Sequence, residues 1–415
     1  MKKTNAAWRP MGISVAGSFT STTTLSIKAE AEAPFIRVRF RFYSEYGAAT
    51  NFKFAAGATE TALISPATTL AKSCQPVVGD TVYNAVQSAI GEPGWQIGAV
   101  AGVTNFNWPG AGSIGYPKEL VTDWLEIPSV PRADGGSRPL ILMRLEHDAS
   151  ANGGISSGSI SAWTAGQNTA TEWYRVLQAP NISGGGAVTD LTKNLAGSMG
   201  TVAVWCAVEF DYNRPAMTVL GIGDSNLDQG GTHSQFIFGT WGHRACAMVS
   251  THNYPVVWFN CGLAGAANSL YSTNGLVELA RVAPSLVVYA AGTSNDNPMT
   301  AAKLNQWKIQ LAKTLAACTA ANIPLCVYGP LPGINYQAED EVFRVEMRKH
   351  CIEMANAGLF DYLDFELLLG TMESPNRLAP TMTAVENDGS RGTHVSNLAE
   401  SLMAMELARV IRKYQ

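Results

Sequence analysis

The sequence predicts a mixed α/β protein in which an all-β sandwich of the jelly-roll type precedes a three-layer α/β/α domain. The length of 415 residues exceeds the size at which one hydrophobic core usually stops growing, which favours two domains. Up to about residue 210 the chain has short alternating segments, whereas from about residue 216 apolar strands alternate with amphipathic helices. We expect a β-sandwich over 1–210 and an α/β/α domain over 216–415.

The clearest strand of the first half is residues 35–42, in which apolar and charged side chains alternate strictly. One face carries Ile36, Val38, Phe40 and Phe42, and the other carries Arg37, Arg39 and Arg41. We interpret the arginine face as solvated, in preference to a ligand-binding stripe. Further strands are predicted between clusters of Gly, Ser, Asn and Pro, at residues 22–28, 139–145, 160–163 and 201–210.

The second half alternates between the two kinds of element, which is typical of βαβ units and a parallel sheet. Apolar strands are predicted at residues 217–222, 255–259, 285–291, 323–328 and 360–365. The clearest helices are predicted at residues 300–321, 339–357 and 397–413. The site of such a domain lies beyond the carboxyl ends of the strands.

The composition argues against several classes of protein. The formal net charge is only −4 and the charges are mixed along the chain, so no nucleic-acid partner is expected. The cysteines form no CxxC pair, so neither a disulfide framework nor a metal site is expected, and no cofactor is implied. No apolar stretch is long enough to span a bilayer, and the N-terminus lacks the apolar core of a Sec signal. Residence in the cytoplasm and export by another route, including in a virion, both stay open.

Four motifs carry residue types that ester hydrolysis requires. Gly-Asp-Ser225 follows the strand at 217–222, and Asn-Cys-Gly-Leu-Ala-Gly265 follows the next strand. Gly-Thr-Ser-Asn295-Asp follows the third strand, and Gly-Thr-His394 precedes the last helix. Ser225 needs a base to become a nucleophile, and His394 is the candidate. The N–H groups of Ser225 and Gly265 and the amide of Asn295 form a candidate oxyanion hole. Each motif alone is also compatible with an ordinary turn.

In this order the four motifs resemble the four blocks of the SGNH (GDSL-like) hydrolase superfamily, over about residues 216 to 413. The resemblance implies a flavodoxin-like α/β/α fold. It also implies Ser225 as nucleophile and oxyanion donor, Gly265 and Asn295 as further donors, and His394 as base.

The sequence departs from the family pattern at two places. The third block has one residue more than usual between its Gly and Asn295. The fourth block has Arg391 where the family usually has Asp three residues before the histidine, and a guanidinium cannot accept a hydrogen bond from imidazole. We expect Asp388 to take this role, with Glu386 or a backbone carbonyl as alternatives.

Two further features bear on the substrate. His233 follows Ser225 by one short loop and is expected to line the substrate pocket, whereas the other histidines have no metal-ligand spacing. The first half loosely resembles accessory β-domains of two-domain carbohydrate esterases. Its tryptophans either stack on sugars or fill the core, namely Trp95, Trp108, Trp124 and Trp163.

The sequence thus predicts a serine esterase that acts on a small ester or an O-acetylated polysaccharide. A lipase, lysophospholipase or thioesterase of the same superfamily is the first alternative. The second is a carbohydrate-binding or virion-type attachment protein whose α/β domain has lost activity, which the two departures from the family pattern keep open.

Overall fold

The fold is described by a computed structural model over residues 4–10, 23–44, 49–59, 77–78, 81–82, 96–104, 106–108, 118–132, 135–149, 176–179, 205–228, 240–263, 265–334, 336–373, 376–385 and 391–415.

The first half of the chain forms short, antiparallel strands. They are β1 (Thr4–Pro10), β2 (Thr23–Glu30), β3 (Arg37–Ser44), β4 (Ala49–Thr59), β5 (Val77–Val78), β6 (Thr81–Val82), β7 (Gln96–Ile97), β8 (Phe106–Trp108), β9 (Lys118–Val121), β10 (Leu140–Ala149) and β11 (Val176–Ala179). The described strands include a sheet in the order β11-β2-β10-β4-β7, with β8 also paired to β4. The predicted strands at 22–28, 35–42 and 139–145 are therefore confirmed within a few residues, while 160–163 lies outside the described residues.

The first half of the chain has a hydrophobic core of its own, to which both that sheet and β3 contribute side chains. The apolar face of β3 is buried in it, as predicted. Val38, Phe40 and Phe42 are fully buried and pack with Phe54 of β4. Ile36 is the exception, because it precedes the strand and is 42% exposed. The closure of these strands into a jelly-roll sandwich stays a prediction.

The arginine face of β3 is solvated only in part: the side chains of Arg37 and Arg39 are 36% and 32% exposed, and the prediction is wrong for Arg41. Arg37 donates to Asp211 at 2.8 Å, and Arg39 donates to Glu209 at 2.5 Å. The guanidinium of Arg41 is buried and lies 4.4 Å from the centre of the Trp8 ring. Tryptophan rings and acidic side chains contact this face. Arginine is suited to both contacts, since its guanidinium stacks on aromatic rings and forms hydrogen-bonded ion pairs.

A single strand, β12 (Trp205–Gly223), connects the two halves of the chain. Its first part pairs antiparallel with β1 and β3, and its last part pairs parallel with two strands of the second half. An irregularity in the pairing coincides with Asn213, which has a φ of 51°. Residues 205–210 of the predicted strand at 201–210 and the predicted strand at 217–222 are parts of this one strand. The change of architecture predicted between residues 210 and 216 falls inside it, and the division into two domains stays a prediction.

The second half is built on parallel strands with helices between them. The strands after β12 are β13 (Val256–Gly262), β14 (Leu286–Ala290), β15 (Leu325–Tyr328) and β16 (Asp361–Leu363), and a hairpin of β17 (Thr383–Val385) and β18 (Arg391–Val395) precedes the last helix. The helices are α1 (Ser225–Asp228), α2 (Trp241–Val249), α3 (Asn268–Val282), α4 (Ala301–Ala320), α5 (Ala338–Asn356), α6 (Phe365–Leu369) and α7 (Asn397–Arg412). The predicted strands and the three predicted helices of this half are confirmed.

The parallel strands lie in the order β13-β12-β14-β15-β16, which is the doubly wound order with the first strand in the second position. Every residue of β13, β14 and β15 is buried, as expected when helices cover both faces of a sheet. α2 packs against α7, while α4 packs against α3 and α5. The architecture is the three-layer α/β/α fold that the sequence predicts.

Side-chain caps fix where two of these helices begin. The Thr300 hydroxyl accepts a hydrogen bond from the Lys303 N–H at the start of α4, and Ser396 accepts one from Ala399 at the start of α7. Among the described helices, none is long and apolar enough to cross a membrane.

Candidate active site

The Gly-Asp-Ser turn places Ser225 at the first position of α1, directly beyond the end of β12. Asp224 caps this helix, because its Oδ1 accepts from the Asn226 N–H at 3.0 Å and its backbone carbonyl accepts from the Leu227 N–H at 3.0 Å. The N–H of Ser225 belongs to the first turn, where helical N–H groups have no acceptor within the helix. It is therefore suited to donate to an oxygen of a substrate.

Ser225 and His394 are separated by 169 positions in sequence and meet in the structure. The Ser225 Oγ lies 2.9 Å from the Nε2 of His394, and both side chains are half-buried. His394 is in β18, and the hairpin with β17 brings it to the carboxyl end of the parallel sheet just before α7. An imidazole nitrogen at this distance can accept the serine proton.

The second motif forms a turn that is attached to the nucleophile strand. The Leu263 N–H donates to the Gly223 carbonyl at 2.9 Å, and the Ala266 N–H donates to the Leu263 carbonyl at 3.1 Å. Gly265 lies between them with a φ of 72°, a conformation that favours glycine. Gly265 itself is exposed.

The third motif accommodates its extra residue in a single 3-10 turn, Ser294–Asp296. The Thr293 hydroxyl caps this turn by accepting from the Asn295 N–H at 3.1 Å. The Asn295 side chain donates from Nδ2 to the Ala266 carbonyl at 3.1 Å, which holds it beside the Gly265 turn. The second hydrogen of the same NH₂ group is left for another acceptor.

Asp224 joins the first and third motifs, a role that the sequence did not indicate. Its Oδ2 accepts from the Thr293 hydroxyl at 2.7 Å while its Oδ1 caps α1. Burial raises the pKa of this carboxyl, and the hydrogen bonds from Thr293 and the Asn226 N–H act in the opposite direction. One buried carboxyl therefore fixes the nucleophile turn relative to the Asn295 turn.

Asp296 connects the third motif to two helices. Its Oδ2 accepts from the Trp307 indole at 2.6 Å and from the Asn268 N–H at 3.1 Å, which links the third motif to α4 and α3. Gly292 is required here, because a Cβ at this position would lie 2.6 Å from the Trp307 ring. Of these residues the sequence singled out only the motif itself, since a tryptophan in a helix does not differ from a core residue by pattern.

The structure thus brings Ser225 to His394 and Asn295 to the Gly265 turn. Asp388, its alternative Glu386 and the predicted pocket residue His233 lie outside the described residues. For Arg391 only the backbone is described, as the first residue of β18. The roles of all these residues stay predictions.

No protein-family model and no curated protein matches the sequence. Among solved structures, a GDSL-like lipase from Bacteroides thetaiotaomicron is 16% identical and covers 48% of this chain and 89% of its own, with a TM-score of 0.37. A psychrotrophic esterase from a Pseudoalteromonas species is 19% identical and covers 48% and 97%, with a TM-score of 0.35. A family 3 carbohydrate esterase from Clostridium thermocellum is 13% identical and covers 47% and 98%, with a TM-score of 0.34.

Within this chain, the strand order and the places of the four motifs agree with the expectation from the sequence. The first three motifs lie at the carboxyl end of the parallel sheet. The β17–β18 hairpin brings the fourth motif to the same end. The second half of the chain therefore has a three-layer α/β/α fold, in which the four motifs come to one edge of the parallel sheet as the sequence predicts.

Proposed function

We propose that the protein is a serine ester hydrolase that acts through an acyl-serine intermediate. The observation that carries this proposal is the 2.9 Å contact between the Ser225 Oγ and the His394 Nε2 at the start of α1. A serine hydroxyl held against an imidazole at a helix N-terminus combines a nucleophile, its base and a backbone donor in one place.

The reaction follows from these groups. Ser225 attacks the ester carbonyl while His394 takes its proton, and the oxyanion accepts hydrogen bonds from the N–H groups of Ser225 and Gly265 and from the Asn295 amide. Collapse breaks the bond to the alcohol, which leaves with the proton from His394. A water molecule then attacks the acyl-serine, with His394 again as base, and the carboxylic acid is released.

For the substrate, we infer O-acetyl groups on a polysaccharide. The sequence supports this through its β-rich first half and through the absence of a long apolar lid segment. The two chain neighbours of Ser225 are also polar, namely Asp224 and Asn226.

The experiment is a comparison of acyl lengths with the purified full-length chain. Hydrolysis of 4-nitrophenyl acetate, butyrate and octanoate would be measured, together with acetate release from an O-acetylated polysaccharide. Preference for acetyl, with acetate release from the polymer, is expected. Preference for octanoate would favour a lipase or thioesterase, and no turnover of any ester would favour an attachment protein.

A further inference from the structure

A small cavity lies beside the nucleophile turn, at the carboxyl ends of β12, β14 and β15. Its volume is about 20 Å³, room for one water-sized group. Its polar wall includes Asp224 and Asn226, the two chain neighbours of Ser225, and Thr293 from the Asn295 turn. The lining also includes Tyr328, at the end of β15, Tyr336, and the apolar residues Leu331 and Pro332.

Three residues of this lining each carry a buried polar atom that has no hydrogen-bond partner among the residues that the structure describes. These atoms are the Tyr328 hydroxyl, the Tyr336 hydroxyl and the Asn226 Oδ1. Tyr328 is 2% exposed and Tyr336 is 1% exposed. Buried hydrogen-bonding atoms are rarely left unsatisfied in folded proteins, so the three together call for a polar occupant.

The hydrogen-bonding character of these atoms specifies the occupant. Burial raises the pKa of both phenols well above the ordinary value, so each keeps its proton and can donate. The Asn226 Oδ1 accepts. An alcohol hydroxyl has two lone pairs and one proton, and it can therefore accept from both tyrosines and donate to the asparagine.

An acyl chain fits this cavity poorly. Its methyl and methylene groups would leave two buried hydroxyls and one carbonyl oxygen without partners. The carboxyl of Asp224 and the hydroxyl of Thr293 do not alter this requirement, because they already bond to each other at 2.7 Å.

We propose that this cavity is a hydroxyl-recognition subsite that binds one free hydroxyl group of the alcohol part of the ester, as a partly acetylated sugar would present. The subsite rests on the proposed esterase function and deepens it. The protein thereby selects an ester by a free hydroxyl group on its alcohol part. Ser225 is therefore acylated by esters of polyhydroxylated alcohols in preference to simple alkyl esters.

The test compares two acetyl esters of similar size, a mono-O-acetylated glucose and cyclohexylmethyl acetate, with 4-nitrophenyl acetate as a general measure of activity. The wild-type protein is expected to have a kcat/KM at least about tenfold higher for the sugar ester. Tyr336→Phe and Tyr328→Phe should each lower the ratio of the two kcat/KM values about tenfold or more. Tyr414→Phe, a tyrosine that bonds to Asp361 far from the cavity, is the matched control and should leave the ratio unchanged.

Three results would count against the proposal in distinguishable ways. A wild-type ratio near one, or a ratio that neither phenylalanine change alters, would overturn the subsite while leaving the esterase in place. In the second of these cases, equal losses of kcat/KM on both esters would indicate that the cavity holds an ordered water. Failure of the wild type on 4-nitrophenyl acetate would instead overturn the proposed function. Because Tyr328 also packs against Trp241 and Phe365, each variant would be checked by its melting temperature.

Discussion

At the scale of single residues, Asp224 explains why the nucleophile turn has a carboxyl before its serine. The two oxygens accept from two different elements, the Asn226 N–H in α1 and the Thr293 hydroxyl in the third motif. An asparagine has only one acceptor oxygen and could satisfy only one of them. Asp224 therefore positions the nucleophile turn relative to the Asn295 turn, while Ser225 and His394 carry the chemistry.

The least certain member of the site by sequence, Asp388, gives the first prediction. An imidazole that accepts a proton at one nitrogen needs an acceptor for the N–H of the other, and Asp388 is the expected acceptor for His394. Asp388→Asn should lower kcat on acetyl esters by up to ~10⁴ with little change in KM. If turnover of this variant equals that of the wild type, while Glu386→Gln is the variant that loses it, the partner is Glu386. If both variants keep full turnover, His394 works in a dyad or with a backbone carbonyl.

The sequence predicted the groups of the site that follow a motif, and it did not predict those that only the fold assembles. Ser225 and His394 were expected to meet because their motifs end at one edge of a parallel sheet, and they do. Tyr328 and Tyr336 lie more than a hundred residues from Ser225. Tyr328 ends an apolar run, as a core residue would, and Tyr336 stands among loop residues, so nothing in the sequence pointed to the cavity.

At the scale of elements, the 3-10 turn at Ser294–Asp296 depends on one hydroxyl. Thr293 is 2% exposed, accepts from the Asn295 N–H and donates to Asp224. Thr293→Val keeps the shape but removes both hydrogen bonds, so Asn295 loses its fixed position. We expect kcat to fall ~10–100-fold with a smaller change in KM, and stability to fall by ~1–3 kcal/mol.

Thr293→Ser is the matched control, because it keeps the hydroxyl and loses only the methyl group. It should retain most of the wild-type kcat. Steady-state kinetics and urea unfolding would measure both variants. Equal kcat values for the valine variant and the wild type would mean that this turn does not position Asn295.

The start of α7 contains a buried carboxyl whose titration should be visible in stability. Glu400 is 4% exposed, and burial raises its pKa from 4.5 to about 8, against the effects of Arg244 and the Trp241 N–H. Between these two pH values the folded protein holds a proton that the unfolded chain has released. The contribution of Glu400 to stability is therefore largest at acid pH and is lost as the pH rises from 4.5 to about 8.

Glu400→Gln removes this titration. The stability of the variant relative to the wild type should rise by a few kcal/mol between about pH 5 and about pH 8, as followed by urea unfolding. Glu406→Gln, whose side chain is 47% exposed on the same helix, should show no such trend. A difference between Glu400→Gln and the wild type that is independent of pH would contradict the assignment.

The elements that the sequence predicted well are those with an uninterrupted apolar pattern, such as α4, α7 and the strands of the parallel sheet. α3 was not predicted individually, and its buried face explains this. That face includes Asn268, Ser272 and Glu278, so polar residues stand where an apolar stripe would be. The hydroxyl of Tyr289 contacts both Asn268 and Ser272, and this tertiary partner is not visible in the local sequence.

At the scale of the whole molecule, β12 makes the two halves of the chain share one backbone element. The cores also interlock across it. Trp8 of the first half belongs to the core of the parallel sheet, and Val257 of β13 belongs to the core of the first half. The sequence favoured a break between residues 210 and 216 because the periodicity changes there, and Asn213 and Pro215 lie in this interval. In the structure both are exposed within an irregular part of the strand, where proline is tolerated.

This sharing predicts cooperative unfolding. Phe210→Ala in the first part of β12 and Leu220→Ala in the last part each remove a fully buried side chain and should cost ~2–5 kcal/mol. Both should shift a single transition, so that loss of esterase activity and loss of tryptophan fluorescence keep the same midpoint in urea. Val342→Ala, at a side chain that is 64% exposed, should leave the midpoints of both measurements unchanged. Two separate transitions, of which Phe210→Ala moves only one, would instead indicate two independent domains.

The central claim is that Ser225 is the nucleophile, and turnover by the Ser225→Ala variant tests it most directly. The change removes one half-buried oxygen and should leave the melting temperature unchanged. We expect kcat on 4-nitrophenyl acetate to fall by ~10⁴ to 10⁶, as when the nucleophile of a triad is lost. Ser137→Ala, at an exposed serine of the first half, should keep full activity. A Ser225→Ala variant that hydrolyses the acetyl ester at a rate near that of the wild type would contradict the claim.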